Sequence, residues 1–161
     1  MASFKFHGQS AWGRDMARLM LEQPGANEML AASDLLIPIP LSRERLLERG
    51  YNQAWELTRH LASATGRPAR HDILLRIETG HLQHRLSLDQ RRQHAERAFA
   101  VNPEAARALQ GLKVVLIDDI MTTGTTLAAA ARCLTLAGAR QVQALVFART
   151  PKPTLEPELQ D

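Results

Sequence analysis

The sequence predicts an α/β fold in which helices cover both faces of a parallel sheet. Segments with helical periodicity alternate along the chain with short apolar runs, and crossover helices between parallel strands require this alternation. The run from Val114 to Ile117 (VVLI) is continuous and mostly β-branched, as is typical of a parallel strand buried on both faces. The length of 161 residues fits one domain. We expect that domain to span residues 1–150, followed by a disordered, proline-rich tail at residues 151–161.

A first helix is predicted from Ser10 to Glu22, with a stop at Pro24-Gly25. Its apolar residues recur at helical spacing, at Trp12, Met16, Leu19 and Met20. The segment Asp34 to Pro40 (DLLIPIP) then predicts a strand that ends in a loop constrained by proline. We expect this loop to continue through residues 41–53 (LSRERLLERGYNQ).

A second helix is predicted after the loop and ends at Gly66-Arg67-Pro68, where glycine and proline stand in the order typical of a helix end. One face of this helix carries Tyr51, Ala54, Trp55, Thr58, Leu61 and Ala62. Residues Ile73 to Ile77 predict another strand. The polar stretch from Glu78 to Arg97 lacks sustained periodicity and predicts a mobile loop.

The second half of the chain is predicted to contain two helices and two strands. Asn102-Pro103-Glu104 favours a helix start, and a short helix through Leu109 is expected before Gly111. The strand at 114–117 follows, and then a helix that ends near Gly138. The apolar face of that helix carries Leu127, Ala130, Ala131 and Leu134. Residues Val142 to Ala148 predict the last strand.

The charge pattern and the single cysteine narrow the possible classes of function. The formal charge is +3, and arginine supplies nearly all the basic charge because the chain has only three lysines. Arginine suits phosphate groups of a nucleic acid or a small molecule, although on charge alone an ordinary solvated surface is the better explanation. Cys133 alone excludes an internal disulfide and a multi-cysteine zinc site.

The sequence contains no pattern that indicates export or membrane insertion. The N-terminus lacks the apolar core of a signal peptide, and no window approaches the roughly 18 apolar residues of a membrane span. We therefore expect a cytoplasmic protein with no membrane insertion.

The residues with most chemistry lie in the segment Val114 to Thr126 (VVLIDDIMTTGTT). An apolar strand brings two carboxylates, Asp118 and Asp119, to the edge of the sheet where ligands of open parallel sheets bind. The loop that follows offers hydroxyl donors, a glycine that permits close backbone approach, and the N-terminus of a helix. Its members are Thr122, Thr123, Gly124, Thr125 and Thr126. This arrangement predicts a phosphate site.

The same segment favours a phosphorylated sugar over other phosphate ligands. Adjacent carboxylates can accept hydrogen bonds from vicinal hydroxyls and stabilise positive charge on a ribose. The segment lacks the lysine and spacing of a Walker loop and the GxGxxG pattern of dinucleotide sites, which argues against ATP and NAD. Any single threonine or aspartate could be only a helix cap or turn former. The combined string makes a purely structural role improbable.

This segment resembles the motif of type I phosphoribosyltransferases, which bind 5-phosphoribosyl-1-pyrophosphate (PRPP). That motif is an apolar run, two acidic residues, two variable positions and then Thr-Gly-variable-Thr, and every defined position is filled here. The resemblance implies the three-layer type I phosphoribosyltransferase fold with a flexible hood loop. It also implies that Asp118 and Asp119 are catalytic, hold the ribose hydroxyls and lie near Mg²⁺, and that residues 122–126 hold the 5-phosphate.

A longer pattern resembles the ComF competence family. The chain reads PIPLSRERLLERGYNQA from Pro38 to Ala54, which matches the spacing PxPLxxxRxxxRGxNQA. The resemblance places a pyrophosphate loop here, and arginine forks suit such an anion. The implied contacts are Pro38, Ile39, Pro40, Arg43, Arg45, Arg49, Asn52 and Gln53. A solvated turn explains any single arginine equally well, and Asn52 and Gln53 are also plausible helix caps.

The arginine-rich stretch from Arg76 to Phe99 resembles the hood of the same family, which folds over bound ligand and excludes water. Matching positions include Thr79, Gln83, Leu86, Ser87, Arg91, Arg92, Ala98 and Phe99. His81, His84 and His94 are expected to be exposed loop residues rather than metal ligands. ComF proteins typically begin with a four-cysteine zinc module, and this sequence has no counterpart of it, so no zinc is expected.

These patterns support three hypotheses. The first is a Mg²⁺-dependent phosphoribosyltransferase-type protein that transfers phosphoribosyl from PRPP to an acceptor and releases pyrophosphate. The second is a non-catalytic PRPP sensor or adaptor for DNA uptake, which could contact single-stranded DNA or a protein of the competence machinery and could form a homo-oligomer. The third is direct binding of single-stranded DNA by the arginine-rich loop. The scarcity of aromatic residues argues against the third.

Overall fold

The computed structural model of the chain describes residues 4–77 and 98–150, with side chains described from Trp12 onward. Helices and strands alternate along the chain, which confirms the predicted α/β class. In chain order the elements are α1 (Phe4–Leu21), α2 (Ala26–Ala31), β1 (Leu35–Pro38), α3 (Arg43–Arg49), α4 (Gln53–Thr65), β2 (Leu74–Arg76), β3 (Phe99–Val101), a 3-10 helix (Ala106–Leu109), β4 (Lys113–Met121), α5 (Thr125–Leu136) and β5 (Gln141–Arg149).

The sheet is parallel and places β4 in its interior. The strand order is β1-β4-β5, and both pairings of β4 are parallel. Leu36 of β1 lies opposite Val115 of β4, and on its other side it forms a parallel bridge with Ala69. The C-terminal end of β1 therefore lies beside Ile117 of β4, and both strands run toward the same edge of the sheet.

Each face of the sheet packs against its own layer, which confirms the predicted three-layer arrangement. Successive residues of β4 point to opposite faces, and Val114 to Ile117 are all at most 1% exposed. Val114 and Leu116 pack on the side of α5, whereas Val115 and Ile117 pack against α1, α2 and α4. Because both faces are covered, the strand contains an uninterrupted apolar run.

A second, smaller sheet lies beside the first. Strands β2 and β3 pair antiparallel, with Arg76 directly opposite Phe99. Residues from both strands join the core on the α5 side of the main sheet, among them Leu74 and Phe99. This pair is where the chain enters and leaves the predicted mobile loop at 78–97, which lies outside the described residues together with the predicted tail at 151–161.

Several predicted boundaries were wrong, and the largest error is α3. Residues 41–53 were expected to be a loop, but a helix forms over Arg43–Arg49. Ser42 caps its start by accepting from the backbone N–H of Arg45 at 3.3 Å, and Gly50 ends it with φ of 78°. No residue of α3 is buried. The helix therefore has no apolar stripe from which its period could be read.

The remaining differences have similar local causes. Helix α1 begins at Phe4 rather than Ser10, and the short helix α2 was not predicted. Strand β4 extends to Met121, four residues beyond the predicted end, because β5 continues to pair with it there. The strand expected at 73–77 is limited to Leu74–Arg76, β3 was not predicted, and the helix expected from Asn102 is a 3-10 turn at Ala106–Leu109.

Candidate functional site

Two loops meet at the C-terminal edge of the sheet. The chain leaves β1 through residues 39–42 and leaves β4 through residues 122–124. The backbone N–H of Ile39 donates to the carbonyl of Ile117 at 2.9 Å, which holds the first loop against β4. Ligands of open parallel sheets bind at this edge, outside the carboxyl ends of the strands.

The acidic pair lies within β4 and not after it. Alternation along the strand gives Asp118 the face of Leu116 and Asp119 the face of Ile117. Each carboxylate accepts a hydrogen bond from the next backbone N–H, at 3.0 Å for Asp118 and 2.9 Å for Asp119. These bonds direct both carboxyl groups along the chain toward the end of the strand.

Asp118 has the more perturbed environment of the two. Burial raises the pKa of Asp118 to about 7, and the charge of the neighbouring Asp119 contributes in the same direction. The guanidinium of Arg76 acts the other way and favours the charged carboxylate. Near neutral pH Asp118 can therefore either accept a hydrogen bond as a carboxylate or donate one as a carboxylic acid.

The threonine loop is pre-organised by its own hydroxyl groups. The Oγ1 atoms of Thr123 and Thr125 lie 2.8 Å apart, and the backbone N–H of Thr125 donates to Thr123 Oγ1 at 3.4 Å. Gly124 turns the chain into α5 with φ of 79°, a conformation that favours glycine. The side chains of Thr122, Thr123, Thr125 and Thr126 are exposed, and the first N–H groups of α5 have no carbonyl partner within the helix. A phosphate group would find donors here.

A concavity opens between the end of β4 and the start of α5. Its lining residues are Asp118, Ile120, Met121, Thr122, Gly124, Thr126 and Leu127. The structure thus brings Asp118 together with the threonine loop. Asp119 is not among the lining residues, so the predicted carboxylates do not occupy equivalent positions.

Asn52 connects the loop after β1 to the start of α4 through two side-chain hydrogen bonds. Its Oδ1 accepts from the backbone N–H of Ala54 at 3.0 Å and so caps α4, while its Nδ2 donates to the carbonyl of Ile39 at 3.0 Å. Ile39 is 5% exposed and belongs to the core. The spacing from Pro38 to Asn52 therefore fixes the loop after β1 against the start of α4, with Gln53 as the first residue of that helix.

The arginines of α3 do not all face the same way. Arg43, Arg45 and Arg49 are exposed. Arg45 and Arg49 are four residues apart and share one side of the helix, whereas Arg43 lies on another side. Pro40 is half-buried in the loop below them.

Arg76 lies closer to the site than its place in the sequence indicated. Its guanidinium carbon is 4.8 Å from the centre of the Phe99 ring, and both Asp118 and Arg45 act on it electrostatically. The prediction assigned Arg76 only to the start of the hood. The pairing of Arg76 with the aromatic residue Phe99 across two strands would have indicated this position. The sequence does not reveal that pairing, because more than 20 residues separate the two strands.

Two further properties of the described residues bear on the site. Across residues 12–77 and 98–150, no three or more His, Cys, Asp or Glu side chains are grouped so that they could hold a metal ion. Among the helices of the described part of the chain, none combines the length and apolar character that a membrane crossing needs.

Comparison with known proteins identifies relatives of the chain. Residues 54–161 match the phosphoribosyl transferase domain family. Competence protein F of Haemophilus influenzae is 32% identical over 149 residues, which cover 91% of this chain and 65% of that protein. Competence protein ComFC of Bacillus subtilis is 40% identical over 100 residues, which cover 62% of this chain and 38% of that protein. The chain thus spans less than two thirds of these relatives' length.

A solved structure supports the fold. Orotate phosphoribosyltransferase from Aeropyrum pernix aligns with a TM-score of 0.52 over 92% of this chain and 77% of that enzyme, at 18% identity. At that identity the likeness concerns the fold alone, and it confirms the predicted type I phosphoribosyltransferase architecture.

Proposed function

The chain belongs to the phosphoribosyl transferase family, in its ComF competence group, and on that premise we propose that it binds PRPP at the C-terminal edge of its sheet. The observation that carries the proposal is the junction of β4 and α5, where a carboxyl group, several hydroxyl groups and a helix N-terminus face one concavity. A sugar phosphate needs hydroxyl acceptors and phosphate donors within a few ångströms of each other. This junction supplies both.

Each part of the ligand has a proposed set of partners. Residues 122–126 hold the 5-phosphate through hydroxyl groups and free N–H groups. Asp118 and Asp119 accept from the ribose hydroxyls. The pyrophosphate lies against the loop from Pro38 to Pro40 and the arginine-bearing helix α3, with Asn52 holding that loop in place.

The acidic pair fits a magnesium ion that arrives with the substrate better than one that resides in the protein. Mg²⁺ is commonly bound by one or two carboxylates together with substrate phosphates and water. Asp118 and Asp119 supply two carboxylates, and the described residues group no third. When bound, the ion would neutralise phosphate charge, and the residues that would hold it are Asp118 and Asp119.

Transfer from PRPP would proceed by displacement at the anomeric carbon. An acceptor nucleophile forms a bond to that carbon while the bond to the pyrophosphate oxygen breaks, and the pyrophosphate leaves with the electron pair. Positive charge develops on the ribose, and the two carboxylates stabilise it. Asp118, whose pKa is raised to about 7, would be charged in this role and would accept a hydrogen bond from a sugar hydroxyl.

Pyrophosphate release tests this proposal. The protein is incubated with Mg²⁺ and PRPP and with a panel of nucleobases, amines and single-stranded DNA as acceptors. We expect release that Asp118→Ala abolishes, whereas Asp15→Ala, on the exposed side of α1, leaves it unchanged. Release that persists in Asp118→Ala would contradict the assigned role.

A second candidate function is binding of PRPP without turnover, in a protein related to others that are named for the uptake or use of DNA. They include competence proteins and DNA utilization proteins. A PRPP sensor or adaptor in DNA uptake or use would keep the same site and need no acceptor. Saturable PRPP binding with no release for any acceptor would support the sensor over the transferase.

Direct binding of single-stranded DNA by the arginine-rich loop at 78–97 is a separate proposal, and that loop lies outside the described residues. It predicts an affinity that falls steeply as salt rises. An affinity that is the same at low and high salt would rule it out.

A further inference from the structure

Three charged groups from three different elements are linked by their electrostatic interactions, and one of them lines the concavity. They are Arg45 of α3, Arg76 of β2 and Asp118 of β4. Burial lowers the pKa of Arg76, Arg45 acts in the same direction, and Asp118 opposes both. Arg76 is therefore acted on by a second guanidinium group and by one carboxylate of the acidic pair.

The guanidinium of Arg76 is held in place by an aromatic ring. Arg76 and Phe99 are direct neighbours across the β2–β3 pair, and the guanidinium carbon is 4.8 Å from the ring centre. Phe99 is 5% exposed and lies in the same core as Ile39, which begins the loop after β1. The ring is therefore a fixed platform, and stacking on it limits the positions that the arginine can adopt.

We propose that Arg45 and Arg76 act together as a clamp for the diphosphate group of the ligand, and that Phe99 is a positioning residue that aims Arg76. The clamp rests on the proposed function and extends it by assigning the anion contacts to residues from two elements that the sequence does not place together. Of the three arginines that the sequence patterns favoured, Arg45 would be a member of the clamp, whereas Arg43 and Arg49 would not.

The chemistry of a diphosphate suits two arginines that act on each other electrostatically. Like charges held near each other repel, and a diphosphate between them replaces that repulsion with charge-assisted hydrogen bonds to both forks. The ribose end would meet Asp118 and the threonine loop at the same time. Arg76 would thus lie between the two halves of the ligand.

Calorimetric titration with inorganic pyrophosphate and, separately, with ribose 5-phosphate tests the clamp. We expect Arg45→Ala and Arg76→Ala each to weaken pyrophosphate binding by about 10- to 100-fold and to change ribose 5-phosphate binding by less than about twofold. Arg140→Ala removes the same charge from the exposed residue that precedes β5, at the opposite edge of the sheet, and should change neither. Pyrophosphate binding that is absent in the wild type, or that survives both substitutions, would overturn the clamp.

The role of Phe99 is tested by a double-mutant cycle. We expect Phe99→Leu to weaken pyrophosphate binding by roughly threefold in the wild type and to have no further effect in the Arg76→Ala background. If Phe99→Leu weakened pyrophosphate binding in both backgrounds, its effect would be a general structural defect, and a positioning role for Phe99 would be ruled out. Thermal unfolding of each variant confirms that the folded protein is being titrated, and Phe99→Tyr, which keeps the ring, should restore the affinity.

The two probes separate this inference from the function on which it rests. If pyrophosphate binding depends on both arginines while ribose 5-phosphate does not bind, the clamp stands and the phosphoribosyl assignment falls. If ribose 5-phosphate binds and pyrophosphate binding is indifferent to both arginines, the clamp alone falls.

Discussion

Burial and a second carboxylate act together on the pKa of Asp118. It lies in an interior strand, its neighbour is Asp119, and the opposing charge of Arg76 acts on it. A carboxyl group in such a position resists ionisation, and its pKa is raised to about 7. Perturbation of this kind is concentrated at functional sites because a ligand can supply the compensation that the free protein lacks.

The raised pKa of Asp118 predicts how stability depends on pH. The folded protein holds this proton more tightly than the unfolded chain, so the stabilisation is fully present below pH 3.8 and is lost as pH rises toward about 7. We expect Asp118→Asn to flatten that decline and to raise the free energy of unfolding at pH 8 by on the order of 1 to 2 kcal/mol, allowing for solvent screening.

Chemical denaturation between pH 4 and pH 8 measures this effect. Asp15→Asn, on the exposed side of α1, serves as the control and should leave the profile unchanged. A profile for Asp118→Asn that is parallel to that of the wild type would show that Asp118 does not titrate in this range.

Gly124 is the residue at which the turn into α5 depends on glycine. Its φ of 79° is strained for any residue with a Cβ, although the space there is adequate, since the nearest atom to an added Cβ is Met121 Sδ at 3.5 Å. We expect Gly124→Ala to cost about 1 to 2 kcal/mol of stability and also to weaken ribose 5-phosphate binding, because relief of the strain moves the N–H groups of the loop.

A second glycine variant separates the effect of backbone strain on stability from its effect on ribose 5-phosphate binding. Gly66 ends α4 with φ of 68° and has open space around it. Gly66→Ala should cost a similar amount of stability in thermal unfolding and leave ribose 5-phosphate affinity unchanged in calorimetry. Equal losses of affinity in both variants would mean that the turn at Gly124 has no particular link to the phosphate.

At the scale of elements, the segment from Ser42 to Asn52 is a structural unit that positions a loop. Helix α3 is capped at both ends, by Ser42 and by Gly50, although none of its residues is buried. Asn52 then begins α4 and bonds back to the loop after β1. The long motif in this region is thus explained in large part by local geometry.

Substitutions of Asn52 separate its two hydrogen bonds. Asn52→Asp keeps the oxygen that caps α4 and loses the amide that donates to Ile39, whereas Asn52→Ala loses both. We expect Asn52→Ala to cost about 1 to 2 kcal/mol in urea unfolding and Asn52→Asp to cost less. Both should weaken pyrophosphate binding, because the loop is released in each. An unchanged pyrophosphate affinity in Asn52→Asp would contradict the link between Asn52 and the loop.

Elements that are determined by their own residues were predicted from the sequence. Elements that depend on contacts with distant parts of the chain were not. The buried run of β4, the glycine end of α4 and the apolar face of α5 are all visible in the residues themselves. Helix α3 has no buried stripe, and the extension of β4 to Met121 depends on pairing with β5. The predicted threonine loop lies where expected, whereas the position of Arg76 depends on the β2–β3 register.

At the scale of the whole molecule, one interior strand joins two cores and the site. The apolar part of β4 contributes to both cores, and the same strand ends in the acidic pair. We expect Leu116→Ala, at a fully buried position, to cost about 2 to 5 kcal/mol. Leu136→Ala, at a position 82% exposed, should change stability by less than about 0.5 kcal/mol.

Urea unfolding of the two leucine variants checks this account of the core. The large cost belongs to Leu116 because a cavity opens beneath α5, whereas the side chain of Leu136 is surrounded by water. Similar costs for the two variants would mean that the packing of β4 is not as described.

The central claim is that the junction of β4 and α5 binds a phosphorylated ribose, and calorimetric titration with PRPP and Mg²⁺ tests it most directly. The variants are Asp119→Ala and Thr123→Ala, and the control is Thr135→Ala at the far end of α5, where the hydroxyl donates to the Ala131 carbonyl. We predict binding heat in the wild type and the control and a loss of affinity of about tenfold or more in the two site variants. Undiminished heat in both site variants would contradict the claim.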